Sequence, residues 1–134
     1  MDTNDSTIDI SSLDLYEGSC SFYKVGAAAG FIKHGTMVES LVSTSLPVGS
    51  FYGMDIEKTE YQLSEGDFII MMTDGALEDL HVPDPVSTME EIIETVQTNH
   101  PGKMAEKILE RVLAFTGGFV RDDMTVLVAA LWEN

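Results

Sequence analysis

Residues 66–79 read GDFIIMMTDGALED, and this stretch decides the fold. Phe68, Ile69, Ile70, Met71 and Met72 are consecutively apolar and lack the polar alternation of a half-exposed strand. The run therefore predicts a strand in a sheet covered on both faces. It leads straight into Thr73-Asp74-Gly75, an acid followed by a turn residue. An aspartate at the end of such a strand is expected to be partly desolvated, and it then needs a proton, a hydrogen bond or a cation to compensate it.

Upstream of this strand the chain reads as antiparallel hairpins. Residues 7–16 and 20–25 flank Glu17-Gly18, and residues 30–33 and 36–42 flank His34-Gly35, each pair a strand–turn–strand pattern. The stretch LPVGSFYG at 46–53 is irregular and glycine-bearing. Residues 56–63, with Ile56, Thr59, Tyr61 and Leu63 as inward positions, lead through Ser64-Glu65-Gly66-Asp67 into the opening strand, and this predicts a further hairpin.

Downstream the period changes. Ser87-Thr88-Met89-Glu90 fits a capping box, and Met89, Ile92, Ile93 and Val96 fall on one helical face, which predicts a helix over 88–98. Pro101 suits the first turn of a second helix, with Met104, Ala105, Ile108, Leu109, Val112 and Leu113 as its apolar stripe and Gly117-Gly118 as its stop. Residues 124–132 form a closing apolar strand. The fold class expected is α+β: a mainly antiparallel sheet with two helices on one face. Residues 1–6 are expected to be loose.

A chain of 134 residues with 44% hydrophobic content suits one domain around one core. Only 7 Lys and Arg stand against 23 Asp and Glu, and the formal net charge of -16 disfavours nucleic acid and anionic membrane surfaces. Such a surface suits cations or a basic partner, although most of the charge reads as solvated surface. The single cysteine, Cys20, has no intrachain disulfide partner, and the N-terminus MDTNDSTIDI lacks the basic start and apolar core of a signal peptide. No apolar run approaches the roughly 20 residues of a membrane helix. A cytoplasmic location is expected for this segment.

A second acidic stretch, Arg121-Asp122-Asp123-Met124-Thr125, stands just before the closing strand. If the two strands are antiparallel neighbours, Asp74 at the end of one and Asp122 at the start of the other share an edge. Neighbouring strands lie ~4.8 Å apart, so two such carboxylates can share one hard cation of the Mg or Mn kind. A plainer account also stands: Asp-Gly is a common turn dipeptide, and Asp122 or Asp123 can bond backbone amides where a strand begins.

The order GDFIIMMTDGALED, two helices, then RDDMTVLVAALW resembles the C-terminal half of the metal-dependent serine/threonine phosphatases of type 2C, in particular their bacterial sporulation and stress-response branch. The segments TIDISSLDLYEGSCSFYKVGAAAGFIKHGTMVESL and LPVGSF resemble the sporulation members most. The resemblance implies part of an α-β-β-α sandwich, with Asp74 and Asp122 as ligands of a binuclear Mn or Mg centre. Asp123 stands where an asparagine is often found and is assigned to the shell around the ligands; Gly75 is carried over as a turn residue. The implied substrate is a phosphoserine on an anti-anti-sigma factor, whose hydrolysis activates a sporulation sigma factor. The implied parent is tethered at the sporulation septum by a segment outside this sequence.

The family's first metal motif, Asp-Gly-x-Gly-x-Gly, supplies the acid that bridges the metals, and nothing in this sequence matches it. Residues 1–134 are accordingly expected to be the C-terminal part of a phosphatase domain, inactive alone and prone to pair with another copy through exposed sheet edge. The alternative is a non-catalytic protein-interaction module that retains the fold.

Other candidates rank lower. Glu78, Asp79 and the loop His81-Val82-Pro83-Asp84-Pro85 follow Asp74 closely and offer a substrate-contacting loop, or merely a solvent loop. His34, His81 and His100 lack ligand spacing, Cys20 reads as a packed thiol, and Ser43-Thr44-Ser45 and Gly49 read as loop residues without a nucleophile turn.

Overall fold

The computed structural model describes residues 8–14, 17–25, 29–42, 57–118 and 123–132. The expectations for residues 1–6, for 43–56 including LPVGSFYG, and for Arg121 and Asp122 lie outside the described residues. In chain order the elements are β1 (Ile8–Asp14), β2 (Ser19–Val25), β3 (Gly30–His34), β4 (Met37–Leu41), β5 (Glu57–Gln62), β6 (Phe68–Met72), α1 (Asp74–Glu78), α2 (Pro85–Thr95), α3 (Pro101–Thr116) and β7 (Val126–Ala130). The α+β class stands, with all strand pairs antiparallel and two sheets where one was expected. The chain divides into two compact units, residues 1–28 with 42–64, and 29–41 with 65–134.

The first unit holds the sheet β1-β2-β5. Its β1–β2 hairpin closes where Gly18 takes φ of +69°, a left-handed turn conformation that glycine adopts without steric cost. The Asp14 side chain supports the turn by accepting from the Glu17 N–H at 3.2 Å. Cys20 and Phe22 are buried, and Phe22 meets the Tyr61 ring edge-on at 6.0 Å between centroids. Burial pushes the Cys20 thiol upward in pKa, as suits a packed thiol.

The second unit holds the sheet β4-β3-β6-β7. Phe68, Ile69, Ile70 and Met72 are buried although their side chains alternate between faces, as the apolar run required. Phe31 stands opposite Ile70, and both are fully buried. The β3–β4 turn falls one residue later than expected, on Gly35-Thr36, with Gly35 at φ +60°.

The hairpin expected between β5 and β6 does not form. β5 is a polar, alternating strand that pairs with β2, whereas β6 needs a neighbour on each side and takes β3 and β7. Residues 63–67 are thus a link between two sheets; Thr59, expected to point inward, is exposed, while Leu63 is buried. β7 is shorter than its apolar run and stands at the sheet edge, where Leu127 is 62% exposed.

Helix α2 starts earlier than the capping box at Ser87 suggested. Asp84 is the N-cap, its carboxylate accepting from the Ser87 N–H at 3.1 Å, and Pro85 occupies the first turn with φ already set for a helix. Met89 and Ile93 are buried with Val96 just beyond, and in α3 Met104, Ile108 and Val112 form a fully buried stripe. Gly117, at φ +72°, ends α3 as the glycine pair implied.

One contact between sheet and helix was not foreseen. Lys33, on β3, is 3% exposed, and its ammonium donates to the carbonyl of Ile93 at 2.8 Å and to that of Val96. Both carbonyls lie at the C-terminal end of α2, where the helix dipole favours a cation, and that of Ile93 also accepts from the Val96 N–H at 3.1 Å. The bonds place α2 over the face of β3 that carries Phe31 and Lys33. Burial lowers the Lys33 pKa from its ordinary 10.5, and the nearby charge of Glu94 opposes that shift.

With a folded pKa below the unfolded one, the unfolded chain binds more protons across the interval between them, so stability is recovered as pH rises toward 10.5 and lost as pH falls through the folded value. Urea unfolding of wild type against Lys33→Met over this range is expected to show wild type gaining relative stability with pH. Parallel curves would overturn the assignment.

Candidate functional site

The strand β6 ends against the start of β7, with Met72 opposite Val126. Beyond that pair the chains stay joined. The Thr73 N–H donates to the Thr125 carbonyl at 3.0 Å, and the Thr125 N–H donates to the Thr73 hydroxyl oxygen at 2.9 Å. The same hydroxyl donates to the Asp123 carbonyl at 3.4 Å. Of the second acidic stretch, the described residues Asp123 to Thr125 therefore meet the end of β6.

Asp74 is the first residue of α1, not a residue of a turn. Gly75 is buried inside the same short helix, so its role as a turn residue is corrected: Ala76 and Leu77 continue the helix because both find burial. The expected desolvation of Asp74 is also corrected. Its carboxylate is exposed, because the helix begins where β6 leaves the covered part of the sheet, and burial alone creates no need for a cation. Asp123 is exposed as well; Asp122 lies outside the described residues.

Glu78 is exposed at the end of α1. Asp79 is 3% exposed, and its N–H donates to the Gly75 carbonyl at 3.0 Å. Asp79 is thereby removed from a surface that a protein substrate would touch. Among the described residues Asp67 is the other buried acid, and its carboxylate bonds Nδ1 of the exposed His34. Its position at the start of β6 explains the pairing: the Asp67 carbonyl is already engaged by the Leu131 N–H at 3.2 Å, which holds the residue where the β3–β4 turn passes. His81 takes φ of +50° after α1, and His100 is the N-cap of α3 without a side-chain capping bond.

The described donors at the shared edge are carboxylate and hydroxyl oxygens, which suits a hard cation. Among the described residues no group of three or more His, Cys, Asp or Glu side chains is placed to hold a metal ion. Thr73 went unnoticed in the sequence, although a threonine directly before a helix start is a recognisable N-cap signal.

Comparison with known proteins shows what the chain is similar to. The family model described as stage II sporulation protein E matches residues 2–132. Stage II sporulation protein E of Bacillus subtilis (strain 168) is 38% identical over 130 residues, which are 96% of this chain and 16% of that protein. The solved PP2C phosphatase domain with a fragment of the regulatory domain of the Bacillus subtilis protein is 36% identical. It matches with a TM-score of 0.90 and covers all of this chain and 42% of that one. A manganese-presoaked structure of the Bacillus subtilis phosphatase domain is 35% identical, with a TM-score of 0.83 over 96% of this chain and 58% of that one. The chain thus spans about a sixth of the curated relative's length.

Proposed function

The chain belongs to the stage II sporulation protein E family, and from that premise we propose that residues 1–134 form the C-terminal part of a PP2C-type serine phosphatase domain. The proposed substrate is a phosphoserine on an anti-anti-sigma factor, with activation of a sporulation sigma factor as the result. The observation that carries this reading is the pairing of Thr73 with Thr125, since it brings the segment that contains Asp123 beside the residue that precedes Asp74.

In this proposal Asp74 and Asp122 hold Mn or Mg, and Asp123 helps orient them. Bound divalent cations would supply charge neutralisation at the phosphoryl oxygens and a water more easily deprotonated. The chain's own contribution is to bring Asp74 and the segment of Asp123 to the ends of paired strands. Exposed Glu78 remains available to a protein substrate. Support for the cation comes from the oxygen-only donor set and from the relative studied after manganese presoaking.

The parent protein is proposed to be tethered at the sporulation septum; no described helix of this chain is long and apolar enough to cross a membrane. A second reading, a non-catalytic interaction module, draws on the edge position of β7 and the exposure of Leu127. The same features support pairing of two copies, which would appear as a dimeric mass in light scattering; a monomer at high concentration would count against it.

Calorimetric titration of Mn into this chain is expected to show binding that Asp74→Asn weakens at least about tenfold. Identical isotherms would remove Asp74 from the site and favour the interaction module. The chain alone is expected to leave a phosphoserine substrate intact, and joining the upstream part of the domain should produce turnover. Hydrolysis by the isolated chain would refute the need for that upstream part.

A further inference from the structure

Thr73 is the N-cap of α1, yet its hydroxyl makes no capping bond to that helix. A threonine N-cap ordinarily turns its side-chain oxygen toward the N–H groups of the first turn. Here the division of labour is different. The Thr73 carbonyl accepts from the Ala76 N–H at 3.2 Å and starts the helix. Had the β6–β7 ladder simply continued, that carbonyl would have served the Thr125 N–H. The hydroxyl takes its place, accepting from the Thr125 N–H at 2.9 Å while donating to the Asp123 carbonyl at 3.4 Å. The backbone N–H of Thr73 completes the clasp by donating to the Thr125 carbonyl at 3.0 Å.

From this geometry we infer that Thr73 is a positioning residue, which fixes the segment of Asp123 beside Asp74 by substituting its hydroxyl for a missing rung of the sheet. The inference rests on the metal-binding role proposed for Asp74 and Asp122. It assigns Thr73 no contact with metal or substrate. Its chemistry explains the residue type: the position needs a side-chain oxygen that accepts and donates at once, one bond from Cβ, on a backbone still extended at φ -79° and ψ 159°. Serine meets those needs. Valine keeps the branched shape and the backbone N–H but removes the oxygen.

The test uses the full chain with Thr73→Val and Thr73→Ser, and two readouts. In metal-free protein, amide hydrogen exchange at Thr125 is expected to speed up about fivefold or more in Thr73→Val, while the core amides of Ile70 and Ile108 are unchanged and Thr73→Ser restores the wild-type rate. On adding Mn, the Asp74 and Asp123 amide resonances of wild type and Thr73→Ser are expected to broaden over one concentration range. In Thr73→Val, Asp123 should require at least about tenfold more Mn than Asp74.

Unchanged exchange at Thr125, or acceleration shared equally by the core amides, would overturn the inference, the second by showing a general loss of stability. Joint broadening of Asp74 and Asp123 in Thr73→Val would overturn it too. If Mn broadens neither resonance in wild type, the metal-site proposal fails in this chain, and the exchange result alone decides whether Thr73 holds the segment.

Discussion

A strand buried on both faces still has two lines of backbone donors and acceptors to satisfy, and it does so by taking a neighbour on each side. For β6 those neighbours are β3 and β7. Pairing with β3 joins the strand to the β3–β4 hairpin; pairing with β7 brings the last described segment of the chain back to the place where β6 ends. The link at 63–67 follows from the same requirement, since a strand with both edges occupied has no place for β5. The meeting of Asp123 to Thr125 with the end of β6 is thus a by-product of the burial of Phe68, Ile69, Ile70 and Met72.

Charge is distributed in keeping with that core. In the second unit Asp74 and Asp123 are exposed, whereas buried Lys33 is spent on helix carbonyls. Burying an ammonium is costly unless hydrogen bonds meet it, and the end of α2 provides them, with the charge of Glu94 nearby. The arrangement also sets where α2 stops, because Val96 leaves the helix with its carbonyl directed to Lys33. Asp67 is handled in a related way, its buried carboxylate being met by His34 from the adjoining turn.

Much of the fold was legible because its signals are local. Gly18 and Gly35 mark turns through positive φ, Pro101 and Gly117 mark the ends of α3, and the spacing of Met104, Ile108 and Val112 reports a buried helical face. The start of α2 was misread because two helix-start signals overlap, and Asp84-Pro85 prevails over Ser87 by combining a capping carboxylate with a preset φ. The hairpin of β5 with β6 was misread for another reason: a glycine-bearing link between two strands looks the same whether or not the strands pair. At the site, the shared edge followed from antiparallel order, but the exposure of Asp74 and the burial of Asp79 did not. Both depend on α1, a helix of five residues too short to leave a periodic signal.

The sequence by itself determined the strand and helix segments, the antiparallel sense of the hairpins, and the placing of Asp74 just beyond a strand, because periodicity, glycine conformation and capping act over a few residues. Tertiary structure decided which strands became neighbours, why Lys33 could be buried, and why the Thr73 hydroxyl serves β7 and not its own helix. Those outcomes rest on partners distant in the chain, as in the pairing of Lys33 with Phe68 and of Thr73 with Thr125. No local pattern specifies them, since a buried donor or acceptor is satisfied by whichever group the packed core brings within reach.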